Sequence, residues 1–243
     1  MNPAEFRDLW VYLSASPLLH LTLTVAAYLL SDFVYRRSGH KSLLHPVLIA
    51  VIVLVLILNV TDTPYAEYFE GAQFVHFFLG PATVALAVAL FANFSRLRRM
   101  WLPLSCGLFA GAVTAALSAV LLASLFGATD QYLLALAPKS VTAPVAMGIT
   151  EKLGGPASLT AILVVSTGII GAIMGPAILD LCRVSDPAVR GLAMGTASHG
   201  IGTARAFQES EIAGAFSGLA MGLNTLVSSI LIPPLLDVLG FIH

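Results

Sequence analysis

Lys139, Ser140 and Thr142 stand between Pro138 and Pro144 in the stretch PKSVTAP, and His199, Thr203 and Arg205 share the stretch GTASHGIGTARAF (195–207) with Gly195, Gly200 and Gly202. A lysine beside backbone N–H groups freed at a helix start suits an anion. If Pro144 lies near a helix start, Ser140 and Thr142 are placed to cap it. Hydroxyls and an arginine add donors, and a histidine with an ordinary pKa of about 6.5 can carry a proton. A third stretch is Gly80-Pro81-Ala82-Thr83, just after His76. Pro81 has no N–H, so the carbonyl of Phe77 loses its usual helical partner, and Thr83 can offer a hydroxyl nearby. Each group also has a plainer account. Pro81 can be a kink tolerated by packing, and Lys139 can reach to the membrane surface. His199 can be a packing histidine, on one helix face with Thr203. Arg205 can pair with Glu209 four residues on.

The elements that must position these residues are set by composition. The chain has 243 residues, 58% hydrophobic and 10% charged, with a mean hydropathy of +0.90. A soluble domain carries about 25% charged residues, so this chain cannot cover a water-facing surface. The fold expected is all-α: a polytopic integral membrane protein of seven or eight segments, some broken or re-entrant, forming one transmembrane domain over 1–243. Long apolar runs lie at about 17–35, 44–61, 72–94, 101–127, 157–182 and 213–240, and shorter broken ones at 131–150 and 191–207. A net charge of −1 gives no basic face for nucleic acid. The N-terminus lacks a cleavable signal pattern, so the first helix is expected to direct its own insertion.

Basic residues set the orientation. Arg36, Arg37 and Lys41 follow the first run, and Arg96, Arg98 and Arg99 follow the third, so both loops are expected in the cytoplasm. The path then forks. If 131–150 crosses, the loop holding Arg183 and Arg190 emerges outside. If it dips in and returns, that loop is cytoplasmic, which the charge rule prefers. Short internal matches pull the other way: SLLHPV (42–47) against SVTAPV (140–145), and FLGPA (78–82) against IMGPA (173–177). An inverted repeat on those matches would require 131–150 to cross as a broken helix.

Glycines at spacing four, Gly107/Gly111, Gly171/Gly175 and Gly214/Gly218/Gly222, are expected to be helix-packing faces, as are the two GLAMG copies at 191–195 and 218–222. Asn224, mid-run, is expected to make an interhelical hydrogen bond. Cys106 and Cys182 have no metal-like spacing and are expected as small core residues. No phosphate-binding loop, HExxH or GxSxG motif is present in the sequence. No metal, cofactor or enzymatic activity is therefore expected.

PKSVTAPVAM (138–147), RGLAMGTASHGIGTARAF (190–207), GPATVALAVAL (80–90) and ESEIAGAFSGLAM (209–221) together resemble the LrgB/CidB family of bacterial membrane proteins, over most of the chain from about residue 40. Two departures show: Ala143 stands where the family usually has threonine before the proline, and Ala89 where it usually has a second proline. The resemblance implies two kinds of function. One is antiholin-like control of murein hydrolase export and autolysis, with a smaller LrgA/CidA-like membrane partner. The other follows from a related plastid glycolate/glycerate transporter that looks like the two bacterial proteins fused. It implies small 2-hydroxy or 2-oxo monocarboxylates such as glycolate, glycerate, lactate or pyruvate.

The residues themselves favour transport, and the resemblance implies a bacterial inner membrane. On that expectation Lys139 or Arg205 meets a carboxylate, Ser140, Thr142 and Thr203 meet hydroxyls, and His199 couples a proton. Gly80, Pro81, Pro138, Pro144, Gly200 and Gly202 are the expected helix breaks. The glycine faces would also serve a holin-like homo-oligomer, which would leak solutes without saturation.

Overall fold

The computed structural model describes residues 16–39, 44–78, 81, 84, 88 and 91–241. All regular elements among them are helices. The chain forms two compact units, up to Val84 and from Ala85 onward.

The first unit holds α1 (Pro17–Arg37), α2 (Pro46–Val60) and α3 (Tyr65–Phe77). Prolines open α1 and α2 at positions where a missing N–H costs nothing. α1 packs on both others. Gly71 of α3 lies against the Pro17 carbonyl and His20, where a Cβ would not fit. Thr24 Oγ1 and the Tyr68 hydroxyl are 2.8 Å apart. The expected break near Pro81 falls mostly outside the described residues, as do Gly80 and Thr83. Pro81 itself is helical and exposed.

The second unit holds α4 (Phe94–Leu125), α5 (Asp130–Leu136), α6 (Ala143–Lys152), α7 (Ala157–Leu181), α8 (Pro187–Glu209) and α9 (Glu211–Val238). Three of these, α4, α7 and α9, are long and apolar enough to cross a membrane, as is α1; α2 is apolar but shorter. The two broken runs are not crossings. α8 is broken at His199, whose φ of 42° and ψ of −133° are not helical. Beyond it the chain doubles back: Arg190 Nε donates to Glu209 Oε2 at 2.8 Å, 19 residues away. A straight helix would separate those residues by about 28 Å. α5, the turn over 137–142 and α6 fold back likewise. Leu134 and Thr150 meet, with the Thr150 hydroxyl 3.5 Å from the Leu134 carbonyl. Seven or eight segments are thus not reached among the described residues. Where two more crossings would stand, two helical hairpins stand instead.

The hairpins enter from opposite ends. Arg96 at the start of α4 binds both carboxylate oxygens of Asp186, at 2.8 and 2.7 Å. Arg190 reaches Asp180 at the end of α7, at 2.6 Å. The α8 hairpin therefore opens at the end that holds Arg96, Arg183 and Arg190. At the other end Val120, Leu133, Leu134 and Leu236 share one core cluster with Val141 and Val164, so the α5–α6 hairpin opens there. Segment 131–150 dips and returns, the alternative the charge rule prefers, and the repeat expected from Pro46/Pro81 and Pro144/Pro176 loses the crossing it required. A different repeat takes its place. Asp130 and Pro187, Lys152 and Glu209, and Leu181 and Val238 are element ends each 57 residues apart. The same offset aligns PAILD (176–180) with PPLLD (233–237). Each copy is a hairpin followed by a crossing helix, and the two run in opposite directions.

Candidate functional site

The second hairpin's first arm, 187–198, needs small residues because it is packed on three sides. Gly111 of α4 receives Thr196, whose Cγ2 would lie 3.0 Å from an added Cβ. Gly171 and Gly175 of α7 receive Ser198 and Met194, and Gly191 and Gly195 rest on the backbone of α9 at Ala213 and Ser217. The expected packing faces are thus used, except at Gly222, where a Cβ would meet open space. Cys106 and Cys182 are exposed and free, not core residues. Cys106 stands on an outward face of α4, where a thiol is as acceptable to lipid as a small apolar group, and Cys182 lies in the turn just after α7.

Both tips reach mid-height. His199 is buried, and its Nε2 lies 2.9 Å from the carbonyl of Val164, about two turns into α7. Gly168 makes room for its ring. The break falls on His199 rather than on Gly200 or Gly202. Gly200 follows the break and is exposed, whereas buried Gly202 lies against the Met194 carbonyl across the hairpin. A histidine at positive φ outside the left-handed helical region is strained by about 1–3 kcal/mol, held there by packing on every side.

At the other tip, Pro138 is buried in the turn and Pro144 is exposed near the start of α6. Thr142 is the N-terminal cap residue of α6, but its side chain makes no capping bond; its carbonyl accepts from Val145 and Ala146. Buried Ser140 accepts a hydrogen bond from Lys139 Nζ at 3.1 Å. The two tips, about 60 residues apart in sequence, are neighbours: the Ser140 and Thr196 carbonyls both lie within hydrogen-bond distance of one side chain.

Asn224 joins them. It lies half-way along α9 and is 1% exposed. Its Nδ2 donates to the Ser140 carbonyl at 3.1 Å and to the Thr196 carbonyl at 3.2 Å. Ser228 donates to its Oδ1 at 3.3 Å. The Ser140 carbonyl stands four residues before Pro144, which has no N–H to offer it, and the Thr196 carbonyl lies just before the break at His199. Its place in the middle of an apolar run predicts an interhelical bond, and it makes two. What the linear pattern did not signal was that both would end on the breaks.

Thr203 and Arg205 are not part of this meeting point. The Thr203 hydroxyl is bonded within the protein, to the His199 carbonyl and the Ser217 hydroxyl, both at 2.9 Å. Arg205 lies further down the returning arm. It approaches Glu209, as the spacing predicts, but only to 3.9 Å. The nearer partner of Glu209 is Arg190, because the hairpin brings that residue across. Arg205 Nε is buried without a hydrogen-bond partner. Among the described residues no cluster of histidine, cysteine and carboxylate side chains could hold a metal ion.

The second unit is that of a polytopic membrane protein whose polar groups lie between two opposed hairpins. The chain belongs to the LrgB-like family, whose model matches residues 24–238. It is 34% identical to the uncharacterized protein YxaC of Bacillus subtilis, over 86% of this chain and 90% of that one. It is 31% identical to the holin-like protein CidB of Staphylococcus epidermidis (93% and 97%) and 25% identical to the antiholin-like protein LrgB of Bacillus subtilis (93% and 97%). No solved structure matches the chain.

Proposed function

We propose that this protein is a carrier of small monocarboxylate anions of the 2-hydroxy or 2-oxo class, in a bacterial inner membrane. The observation that supports this is the meeting of two hairpins, entered from opposite ends, at Lys139, Ser140, His199 and Asn224. Transporters built from inverted repeats bind at the midplane, between broken helices. The end holding Arg96, Arg183 and Arg190 is then cytoplasmic. Lys139 meets the carboxylate, Ser140 and Thr142 meet the hydroxyl or oxo group, and His199 exchanges a proton. Arg205 serves the cytoplasmic mouth, where its Nε has no partner of its own. Thr203 supports the His199 turn and does not contact the anion.

The relatives' names favour a second reading, holin-like or antiholin-like control of autolysis, with an LrgA/CidA-like membrane partner or as a homo-oligomer. The two are compatible, since moving organic acids changes conditions at the cell wall. Uptake of radiolabelled glycolate, lactate and pyruvate into proteoliposomes, with and without a pH gradient, separates them. A carrier gives saturable uptake, lost in Lys139→Ala and weakened in Arg205→Ala. Unsaturable release of unrelated solutes supports the holin-like reading, and full uptake by both variants removes the proposed site.

A further inference from the structure

We infer that Asn224 is a positioning residue that couples the two hairpins, so that one tip cannot leave its place without disturbing the bond that holds the other. One nitrogen, Nδ2, holds both: its two hydrogens go to the Ser140 and Thr196 carbonyls. The amide does not turn over, because its Oδ1, which here accepts from Ser228, would then face two carbonyl oxygens. Both carbonyls belong to buried residues, where losing a donor is costly. Movement of either tip therefore leaves a bare carbonyl, or pulls on an amide whose second hydrogen is bound to the opposite hairpin.

Each hairpin borders an open groove on one side. A cleft of about 230 Å³ lies between the α6 arm and α9, lined by Gly148, Ile149, Ser229 and Pro233. Another of about 280 Å³ lies between the first arm of α8 and α4, lined by Gly107, Gly111, Thr196 and Ala197. Two arms that each border a groove and are joined at the tips by one side chain make a latch. The latch has no twin: the repeat places Thr167 of α7 at the position equivalent to Asn224. A threonine hydroxyl has one hydrogen and cannot hold two carbonyls. The coupling is thus vested in α9. It deepens the carrier reading, because alternating access requires that the two ends never open together.

Hydrogen–deuterium exchange of the purified protein in nanodiscs tests the latch without any substrate, so it stands or falls apart from the transport assay. Peptides covering 137–143 and 196–202 are compared with a peptide from the middle of α7. In Asn224→Leu, which keeps the bulk and removes both donors, exchange is expected to rise about tenfold or more at both tips and to stay unchanged in α7. Ser228→Ala, which leaves both Nδ2 bonds in place, should raise it less. If Asn224→Leu does not fold, Asn224→Ala, which likewise removes both donors, is read in the same way. Acceleration at one tip alone, at neither tip, or equally throughout the protein overturns the proposal.

Discussion

Gly202→Ala distinguishes a hairpin from a continuous helix by the sign of its effect. In a straight helix the change stabilises by up to about 1 kcal/mol, because glycine is the poorer helix former. In the structure an alanine Cβ at 202 would lie 2.6 Å from the Met194 carbonyl oxygen and 2.6 Å from Ser198 Cβ, across the fold-back. Ordinary contact begins near 3.4 Å, so the two arms must part by about 0.8 Å, against backbone that cannot turn away. Overpacking of that kind costs about 1–3 kcal/mol. Gly222→Ala is the matched control, since it lies within α9 and its Cβ would meet nothing within 4 Å. Both variants gain the same helix propensity, so their difference isolates the clash. At about 2–4 °C per kcal/mol for a chain of this size, Gly202→Ala should melt about 2–12 °C below Gly222→Ala. Thermal unfolding of the two purified variants in one detergent measures this. Equal or higher melting of Gly202→Ala would falsify the fold-back at His199.

Arg190→Gln should cost about 1–3 kcal/mol, since it breaks charged hydrogen bonds to Glu209 and Asp180, whereas Arg205→Gln, with its 3.9 Å approach, should cost less than half of that. The reverse order in thermal unfolding would mean that Glu209 belongs to its own helix turn and not to the hairpin mouth. Burial pushes the Asp186 carboxyl up, but the N–H groups of Ala188 and Val189 and the Arg96 guanidinium outweigh it and hold the group below its usual 3.8. A depressed folded-state value means stability that is complete above the usual value and lost as pH falls through the lower one. The melting advantage of the native protein over Asp186→Asn should therefore be constant from pH 7 to 5 and shrink below about pH 4. An advantage that persists at pH 3 would show that the Arg96–Asp186 contact contributes nothing through charge.

Much of the candidate site was legible in the residue pattern. Lys139 and Ser140 between prolines, and His199 among glycines, are costly in a lipid-facing helix, so their cost alone marked both breaks. The Arg205–Glu209 pair, the inverted repeat and the partners of Asn224 were harder. Spacing along a chain reports neighbours three or four residues apart, and the pair it proposed is the weaker one. Arg190 lies 19 residues from Glu209 and reaches it only because the helix folds back. The true repeat retains little more than P-x-[IL]-L-D at one end, because each copy meets different neighbours and has diverged to fit them.

Composition by itself determined that this chain lives in a membrane as helices, since so few charges cannot cover a surface in water and a backbone in lipid must satisfy its own hydrogen bonds. Basic loops favoured one of the two courses open to 131–150, because moving a cation through lipid is costly. Whether a broken run crosses or turns back was decided only in three dimensions. A helix interrupted at mid-height leaves bare carbonyls, and either course is open until something supplies their donors. Here Asn224 and Thr203, with glycines that admit the returning arm, make the turn the course in which those groups are satisfied.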